Sequence, residues 1–342
     1  MNAPVHTMDP LADRRWDAFV ARHPRASVFH GRHWLEALQR TYGYRPFVLT
    51  TTDAGPLANG LVACEVRTTL ARRLVSLPFS DHADVLADDP AHESALCEAL
   101  AARTRDGHWR SVEVRGQAHQ SALAAGATYA WHVLDLQRTP DEIFGAFHPS
   151  STRRAIRRAE REGLVVEVGR SEALLGEFFA LLRQARRRHG VPPQPLAWFR
   201  NLSASFGDRL SVYVARKAHD PVAAILTLRA GTTLVYKYGG SDARHHALGG
   251  MPLLFWTAIR QARADGAARL DLGRSDLDQP GLIAFKDHLG AEQRRLTYLQ
   301  WPAAATRRQP PGALGRAARR LLAHLPDPLF DLTGRLAYRH LG

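Results

Sequence analysis

The segment RLDLGRSDLDQPGLIAFKDHLG, residues 269–290, is the stretch around which the rest of the chain is organised. Its first residues place leucines at alternate positions and predict a short strand that ends at Gly273-Arg274-Ser275. A polar loop follows, then a helical turn that carries Phe285-Lys286, and Gly290 closes the segment. Because binding groups gather at the carboxyl ends of strands in open α/β sheets, this order predicts a ligand site at the end of the strand.

Lys286 stands out because lysine is scarce in this chain. Lys and Arg together number 46, and only three of these residues are lysine: Lys217, Lys237 and Lys286. A lysine kept in such a chain can supply a compact charge in a tight site, or a group whose proton affinity changes on burial, which a guanidinium does not offer. The alternative is that the three lysines are leftovers of drift in an Arg-biased genome.

Length and composition bound the class of protein. A chain of 342 residues with 45% hydrophobic and 23% charged residues is expected to fold, and its length suits two domains. The net charge of +13 implies affinity for polyanions such as tRNA, anionic lipid or phosphorylated cofactors, unless Arg-rich codon usage explains it. Cys64 and Cys97 lack CxxC spacing and are expected to be buried free thiols of a reducing compartment.

The sequence favours a cytoplasmic location. Residues 1–16 lack the apolar core of a signal peptide, and no run of about 18 apolar residues predicts a membrane span.

The two halves of the chain repeat one pattern of strands and helices. Residues 60–83 align loosely with residues 221–243, and GHWRSVEVR (107–115) aligns with GAARLDLGR (266–274). The interval from Gly60 to Arg115 is 55 residues and that from Pro221 to Arg274 is 53. The pattern predicts an α/β (α+β) fold with two similar domains, each a mixed central sheet flanked by helices, by duplication or by convergence.

Five segments together resemble the FemAB-like branch of the GNAT acyltransferase superfamily. They are STRRAIRRAEREGL (151–164), the strand–loop–helix–strand run 234–275, AFKDHLGAE (284–292), SLPFSDH (76–82), and the C-terminal LPDPLF (325–330) with GRLAYRHLG (334–342). The last two are similar to the subgroup associated with PEP-CTERM/exosortase systems. The resemblance implies two tandem GNAT-like domains, residues 1–145 and 146–302, with substrate in the cleft between them and a basic helical tail at 303–342.

The resemblance places Lys286 at the reaction centre of an acyl transfer to an amine. Such a reaction needs positive charge where the tetrahedral oxyanion develops, and Phe285 beside the lysine would exclude water. The competing interpretation is a surface ion pair of Lys286 with Asp287 or Glu292. Asp81 lies where the family has its first-domain substrate loop and is the candidate base for the amine, with Asp84 as rival and turn formation as the alternative.

Three groups of residues are candidates for substrate binding. Tyr236 and Tyr238 alternate with Lys237 on a predicted strand, so the two tyrosines are expected on one face, towards substrate or towards the core, and Lys237 on the other. Arg274 and Ser275 follow the central strand, where Arg274 would clamp a phosphate or carboxylate or else pair with Asp271 or Asp276. Arg154 and Arg157 belong to a basic stripe with Arg153 and Arg158, which suits phosphates or an ordinary solvated face.

The donor is either acyl-CoA or aminoacyl-tRNA, with no permanently bound cofactor. Acyl-CoA enzymes of the superfamily hold the pyrophosphate on a glycine-rich helix start, and Arg244, Gly249 and Gly250 match that loop in part, with Ala247 replacing its first glycine. The helical-hairpin insertion with which some relatives bind tRNA is absent from the sequence. The histidine pairs His30/His33 and His245/His246 lack the spacing of a metal site.

The tail contains two basic amphipathic helices that either contact an anionic membrane surface or pack back on the domains. The predicted function is N-acyl or aminoacyl transfer to an amine on a small molecule or on a peptide or glycan precursor, in envelope or exopolysaccharide metabolism, peripheral to the inner membrane. The alternatives are an inactive GNAT-like binding or regulatory protein of an exosortase system and, from charge alone, a nucleic-acid binder.

Overall fold

The computed structural model describes residues 4–67, 72–105, 109–116, 121, 123–302 and 313–341. The strands are β1 (His6–Met8), β2 (Pro46–Thr50), β3 (Leu61–Arg67), β4 (Arg72–Val75), β5 (Trp109–Val114), β6 (Ala124–Asp135), β7 (Leu164–Gly169), β8 (Leu210–Lys217), β9 (Asp220–Ala230), β10 (Thr233–Ser241), β11 (Arg269–Asp276) and β12 (Glu292–Trp301). The helices are α1 (Arg14–Arg22), α2 (Arg32–Tyr42), α3 (Pro90–Arg105), α4 (Pro140–Ala146), α5 (Arg154–Arg161), α6 (Glu172–Arg188), α7 (Leu196–Phe206), α8 (Gly250–Ala264), α9 (Pro280–Asp287), α10 (Ala313–Ala323) and α11 (Asp327–Leu341).

The chain folds as two compact units. The first unit comprises Met1–Tyr129, Arg295–Pro310 and Leu336–Gly342, and the second comprises Ala130–Arg294 and Pro311–Arg335. The predicted mixed α/β class is confirmed, because both units combine helices with a sheet that has parallel and antiparallel neighbours.

The first unit is built on strands β1 to β5 and the C-terminal half of β12, in that spatial order. Neighbouring strands are antiparallel except β4 and β5, which are parallel. Helix α3 joins that parallel pair, and its apolar side chains Leu96, Cys97 and Leu100 pack into the core. Cys64 and Cys97 are buried and unpaired, as predicted, and burial raises the pKa of Cys97 to about 11.

The second unit has the spatial strand order β6-β11-β10-β9-β8-β7. Strands β7 to β10 form antiparallel pairs, and β10 pairs in parallel with β11. Gly239 and Gly240, on opposite faces of β10, show what covers each face: a Cβ on Gly239 would approach Met251 of α8, and one on Gly240 would meet Leu181 of α6. The sheet is therefore covered by α8 on one face and by α6 on the other.

The order of elements repeats between the two units. In the first, β1 is followed by α1 and α2, then by β2, β3 and β4, and α3 leads to the parallel strand β5. In the second, β7 is followed by α6 and α7, then by β8, β9 and β10, and α8 leads to the parallel strand β11. The matching strand directions agree with the repeat that the sequence alignment indicated.

The tail forms the two predicted helices, α10 and α11, while residues 303–312 lie outside the described part of the chain. In the second unit, Arg187 donates to the carbonyl of Ala323 and lies over the ring of Phe330, which is fully buried. One face of the tail therefore packs on the protein. Within the described residues, no helix is both long enough and apolar enough to cross a bilayer.

The contact between β10 and α6 gives a test of the fold. Gly240→Ala would place a Cβ 2.6 Å from backbone atoms of Leu181. We expect this substitution to lower the free energy of unfolding by about 1–3 kcal/mol, because a packed interior cannot absorb the added methyl group. Urea denaturation monitored by circular dichroism measures the change.

Gly176→Ala is the matched control, because Gly176 lies in α6 with open space around its Cβ position. A helical Gly→Ala change of this kind is expected to be neutral or to stabilise by about 0.5–1 kcal/mol. Equal denaturation midpoints for the two variants would contradict the packing described.

Candidate functional site

Lys286 lies in the last turn of α9 with 3% of its surface exposed. Its Nζ donates hydrogen bonds to the carbonyl oxygens of Gly273 at 2.9 Å and Arg274 at 3.2 Å. Both carbonyls belong to β11, so the strand and the helix of the central segment meet at this amine. Because the side chain is buried, the expected alternative of a surface ion pair does not describe it.

Lys286 lines a cavity of about 260 Å³ in the second unit. Strands β9 and β10 contribute the apolar side chains of Val222, Ala223 and Tyr236. The helices contribute Met251, Pro252 and Phe255 from α8, and Leu282 and Phe285 from α9. Ser241, His245 and His246 also line it. The cavity is thus mainly apolar, with a buried amine in its wall. Ligand pockets commonly combine an apolar lining with a few polar groups in this way.

The two predicted tyrosines point to opposite faces of β10, so the prediction that they share a face is wrong. The pairing of β10 with β9 shifts register between Tyr236 and Tyr238, which marks a β-bulge at Lys237. Tyr236 packs on Phe255 of α8 and lines the cavity. The Tyr238 hydroxyl accepts a hydrogen bond from Trp198 of α7, on the other face. One extra residue in a strand reverses the faces of all residues after it.

The loop before α8 is shaped by packing. The Arg244 guanidinium forms a bidentate pair with Asp242, holds the pKa of that carboxyl at about 2, and does not line the cavity. Gly249 has φ +82°, and a Cβ there would lie 2.3 Å from the carbonyl oxygen of Ala155. Backbone conformation and the approach of α5 therefore require this glycine. Gly250 lines the cavity, and Pro252 has no N–H to offer a ligand.

The remaining substrate-binding candidates of the second unit lie at separate positions on β11 and α5, outside the cavity lining. Ser275 is buried, and its hydroxyl makes no hydrogen bond to any residue that the structure describes, while Arg274 lies 3.7 Å from the carboxylate of Asp276. Arg154 and Arg157 are exposed on α5, where Arg157 lies 5.9 Å from the Phe144 ring. These four side chains are outside the cavity lining.

Asp81 belongs to the first unit, in the loop after β4. Its carbonyl accepts a hydrogen bond of 2.6 Å from the Tyr298 hydroxyl. The loop is strained, because Leu77 and Phe79 have φ of +65° and +62°. Arg115 donates to the carbonyls of Leu77 and Ser80 and holds the loop in this shape. Strained backbone held by its surroundings is often found at functional sites.

Sequence reasoning missed two side chains of β6 beside the central segment. Trp131 donates to the Asp271 carboxylate at 2.8 Å, and that same oxygen accepts the Gly273 N–H. His132 is fully buried, and its Nε2 lies 3.0 Å from the carboxylate of Asp287, the residue after Lys286. A histidine and a tryptophan inside an otherwise apolar strand were the available signal. The described residues contain no cluster of three or more potential metal ligands.

Part of the chain matches a known protein family in sequence. Residues 146–286 match the family described as Acetyltransferase (GNAT) domain, and the match ends at Lys286. The UDP-N-acetylmuramoylpentapeptide-lysine N(6)-alanyltransferase of Weissella viridescens is 32% identical over 111 residues, 32% of this chain and 33% of that protein. The match thus spans about a third of the length of that curated relative.

Solved structures show the fold. The crystal structure of FemX matches with a TM-score of 0.66 and 14% identity, over 85% of this chain and 96% of FemX. A tandem GNAT protein from the clavulanic acid biosynthesis pathway matches with a TM-score of 0.52 and 14% identity, over 89% of this chain and 100% of that protein. Residues 146–286 thus match a GNAT domain, and the fold is similar to those of FemX and the tandem GNAT protein, in agreement with the predicted fold class.

The buried His132 makes stability depend on pH. Burial lowers its pKa; the hydrogen bond to Asp287 opposes that shift, and the positive charge of Lys286 adds to it. The unfolded chain therefore binds more protons than the folded chain once the pH falls below about 6.5, and the free energy of unfolding decreases there. We expect His132→Gln to reduce that slope by up to about 1.4 kcal/mol per pH unit. Urea titrations between pH 5 and pH 7 measure this slope. An unchanged slope in the variant would contradict the lowered pKa of His132 as its source.

Proposed function

We propose that this protein is an acyltransferase that forms an amide by moving an acyl or aminoacyl group from an activated donor to an amine. The observation that carries the proposal is the buried amine of Lys286 in the wall of an apolar cavity, at the end of the matched GNAT domain. The donor is an acyl-CoA or an aminoacyl-tRNA. The acceptor is an amine on a small molecule or on a peptide or glycan precursor.

Lys286 would stabilise the oxyanion of the tetrahedral intermediate. The two carbonyls of β11 fix its amine at one point of the cavity wall, so no reorganisation is needed when charge develops on the donor oxygen. The apolar neighbours Phe255 and Phe285 exclude water and keep the local dielectric low, which strengthens the interaction. Tyr236 lies on the same cavity and would orient the donor.

The acceptor must lose a proton as its nitrogen attacks the donor carbonyl. Asp81 is proposed as the proton acceptor, and the arginine-braced loop after β4 would hold it in place. Arg274, Ser275, Arg154 and Arg157 are proposed to bind phosphates or carboxylates of the substrates, and Gly250 to border the donor. These roles come from the family resemblance and from residue chemistry.

The proposed acceptor class is supported by the relative that matches in sequence. The name of the Weissella enzyme specifies alanyl transfer to the lysine of a UDP-linked muramoyl pentapeptide. A related acceptor, a primary amine on an envelope precursor, is therefore proposed for this chain. An exosortase-linked pathway, suggested by the motifs at 76–82 and 325–342, is part of the same proposal.

Replacement of Lys286 tests the proposed chemistry. We expect Lys286→Met to lower the rate of amide formation by about 10²–10³, the loss typical when one oxyanion donor is removed. Mass spectrometry of the acylated amine, with acyl-CoA and aminoacyl-tRNA supplied in parallel, measures the product. Some loss of stability is also expected, because the variant leaves two buried carbonyls without this donor.

The control is Lys237→Met, because Lys237 lies outside the cavity lining and contacts the Tyr238 ring at 5.4 Å. It should retain activity. A folded Lys286→Met protein with unchanged turnover would refute the role of Lys286. Acceptor binding without product from the wild-type protein would instead favour the GNAT-like binding or regulatory role.

The tail is proposed to contact an anionic membrane surface. Leu321 of α10 is 70% exposed, and Leu329 and Leu332 of α11 are 49% and 42% exposed. Asp327 and Asp331 pair with Arg183, so the charge left on the exposed face is that of arginines: Arg319, Arg320 and Arg335. Exposed leucines flanked by arginines fit the interface of an anionic bilayer.

Co-sedimentation with vesicles tests this contact. We expect binding to vesicles with 30 mol% phosphatidylglycerol and weak binding to phosphatidylcholine alone, with about a tenfold loss for Leu329→Ser/Leu332→Ser. Val165→Ser is the control, because Val165 is 64% exposed and belongs to β7, not to the tail. Equal vesicle binding by all three proteins would exclude the tail as the contact.

A further inference from the structure

We infer that the cavity beside Lys286 takes the acyl part of the donor, and that this acyl group is apolar, longer than acetyl and free of an amino group. The inference rests on the proposed function and narrows it, because an acyltransferase with this cavity would use fatty-acyl-like donors in preference to aminoacyl donors.

The chemistry of the cavity wall favours an apolar acyl group. The cavity is lined mainly by aliphatic and aromatic side chains from β9, β10, α8 and α9. Such a surface gains free energy from each methylene that it removes from water, and gains little from a polar group. With about 260 Å³, the cavity has room for an acyl chain of several carbons, since an acetyl group would fill only a fraction of it.

The charge in the cavity wall disfavours a donor with an amino group. The polar side chains that line the cavity are Ser241, His245, His246, Tyr236 and Lys286; among the described residues of the lining none is acidic. An aminoacyl donor carries an ammonium group on the carbon next to the carbonyl that reacts. If Lys286 binds that carbonyl oxygen, the two positive charges come within a few ångströms of each other with no lining carboxylate between them, and they repel.

Leu282 extends the apolar surface at the edge of the cavity. It lines the cavity and is 39% exposed, so an acyl chain longer than the cavity would keep contact with an apolar side chain at the surface. Leu277, in the loop between β11 and α9, is 57% exposed and lies outside the lining.

The experiment uses probes that carry only the acyl part of the donor. They are the N-methylamides of acetic, butyric, hexanoic and octanoic acids, with norleucine N-methylamide as the six-carbon probe that adds an α-ammonium group. Ligand-observed NMR titration into the full chain at pH 6.5, where an α-amino group is protonated, gives the affinities. We expect affinity to rise about three- to fourfold per methylene up to the hexanoyl probe. The norleucine probe should bind at least about tenfold more weakly than the hexanoyl probe.

Two variants locate the binding. Leu282→Glu puts a carboxylate on the cavity lining at an exposed position; it should weaken the hexanoyl probe and bring the norleucine probe to similar affinity. Leu277→Glu adds the same charge outside the lining and should leave the ratio of the two affinities within about twofold of wild type. The outcomes that overturn the inference are no octanoyl binding up to its solubility, no dependence on chain length, or equal binding of the norleucine and hexanoyl probes.

The binding series is independent of turnover. Amide formation from an alanyl donor, together with chain-length-independent binding, would leave the proposed function standing and overturn the acyl preference. Chain-length-dependent binding without product from any donor would support the acyl site and remove the proposed reaction.

Discussion

The amine of Lys286, held by two carbonyl oxygens at the end of β11, is the contact on which the candidate site depends. A buried ammonium is costly unless polar groups replace the water that it loses. Gly273 and Arg274 supply such groups from the backbone. Lys286 also lines the cavity, so the two carbonyls hold its amine at the wall that a bound donor would face.

The surroundings of this contact hold its partners in place. Asp271 accepts hydrogen bonds from Trp131 and from the N–H of Gly273, so the turn that presents the two carbonyls is tied to β6. Asp287, next to the lysine, is bonded to the buried His132 of the same strand. Strand β6 therefore braces both the strand end and the helix that meet at Lys286. The rings of Phe285 and Phe255 pack against each other, with 5.5 Å between their centroids, and cover this corner with apolar surface.

The sequence predicted the fold class and the central segment because both leave local signals. Alternating leucines, a polar loop and a helical turn define β11 and α9, and the scarcity of lysine singled out Lys286. The predicted face of Tyr238 was wrong. The bulge at Lys237 arises from the pairing of β10 with β9, and the alternation of residues in the sequence does not indicate it. The pairing of Arg244 with Asp242 spans only two positions and was open to prediction.

Other features of the site had no local signal. The contacts of Trp131 and His132 join positions 140 and 155 residues apart in sequence. The requirement for glycine at position 249 comes from the backbone of α5, almost a hundred residues earlier, as much as from its own conformation. Long-range packing of this kind cannot be derived from residue order alone. The sequence therefore did not indicate that packing against α5 also requires a glycine at position 249.

The scarcity of lysine also provides the most direct measurement of the central claim. Protein labelled with ¹⁵N at lysine Nζ contains three labelled amines: Lys217, Lys237 and Lys286. Buried in the cavity wall, Lys286 should give a resonance that shifts when octanoic acid N-methylamide is added, while the other two stay in place. A Lys286 resonance that does not move at saturation, or equal shifts of all three, would contradict the account of this lysine as the group that meets the donor.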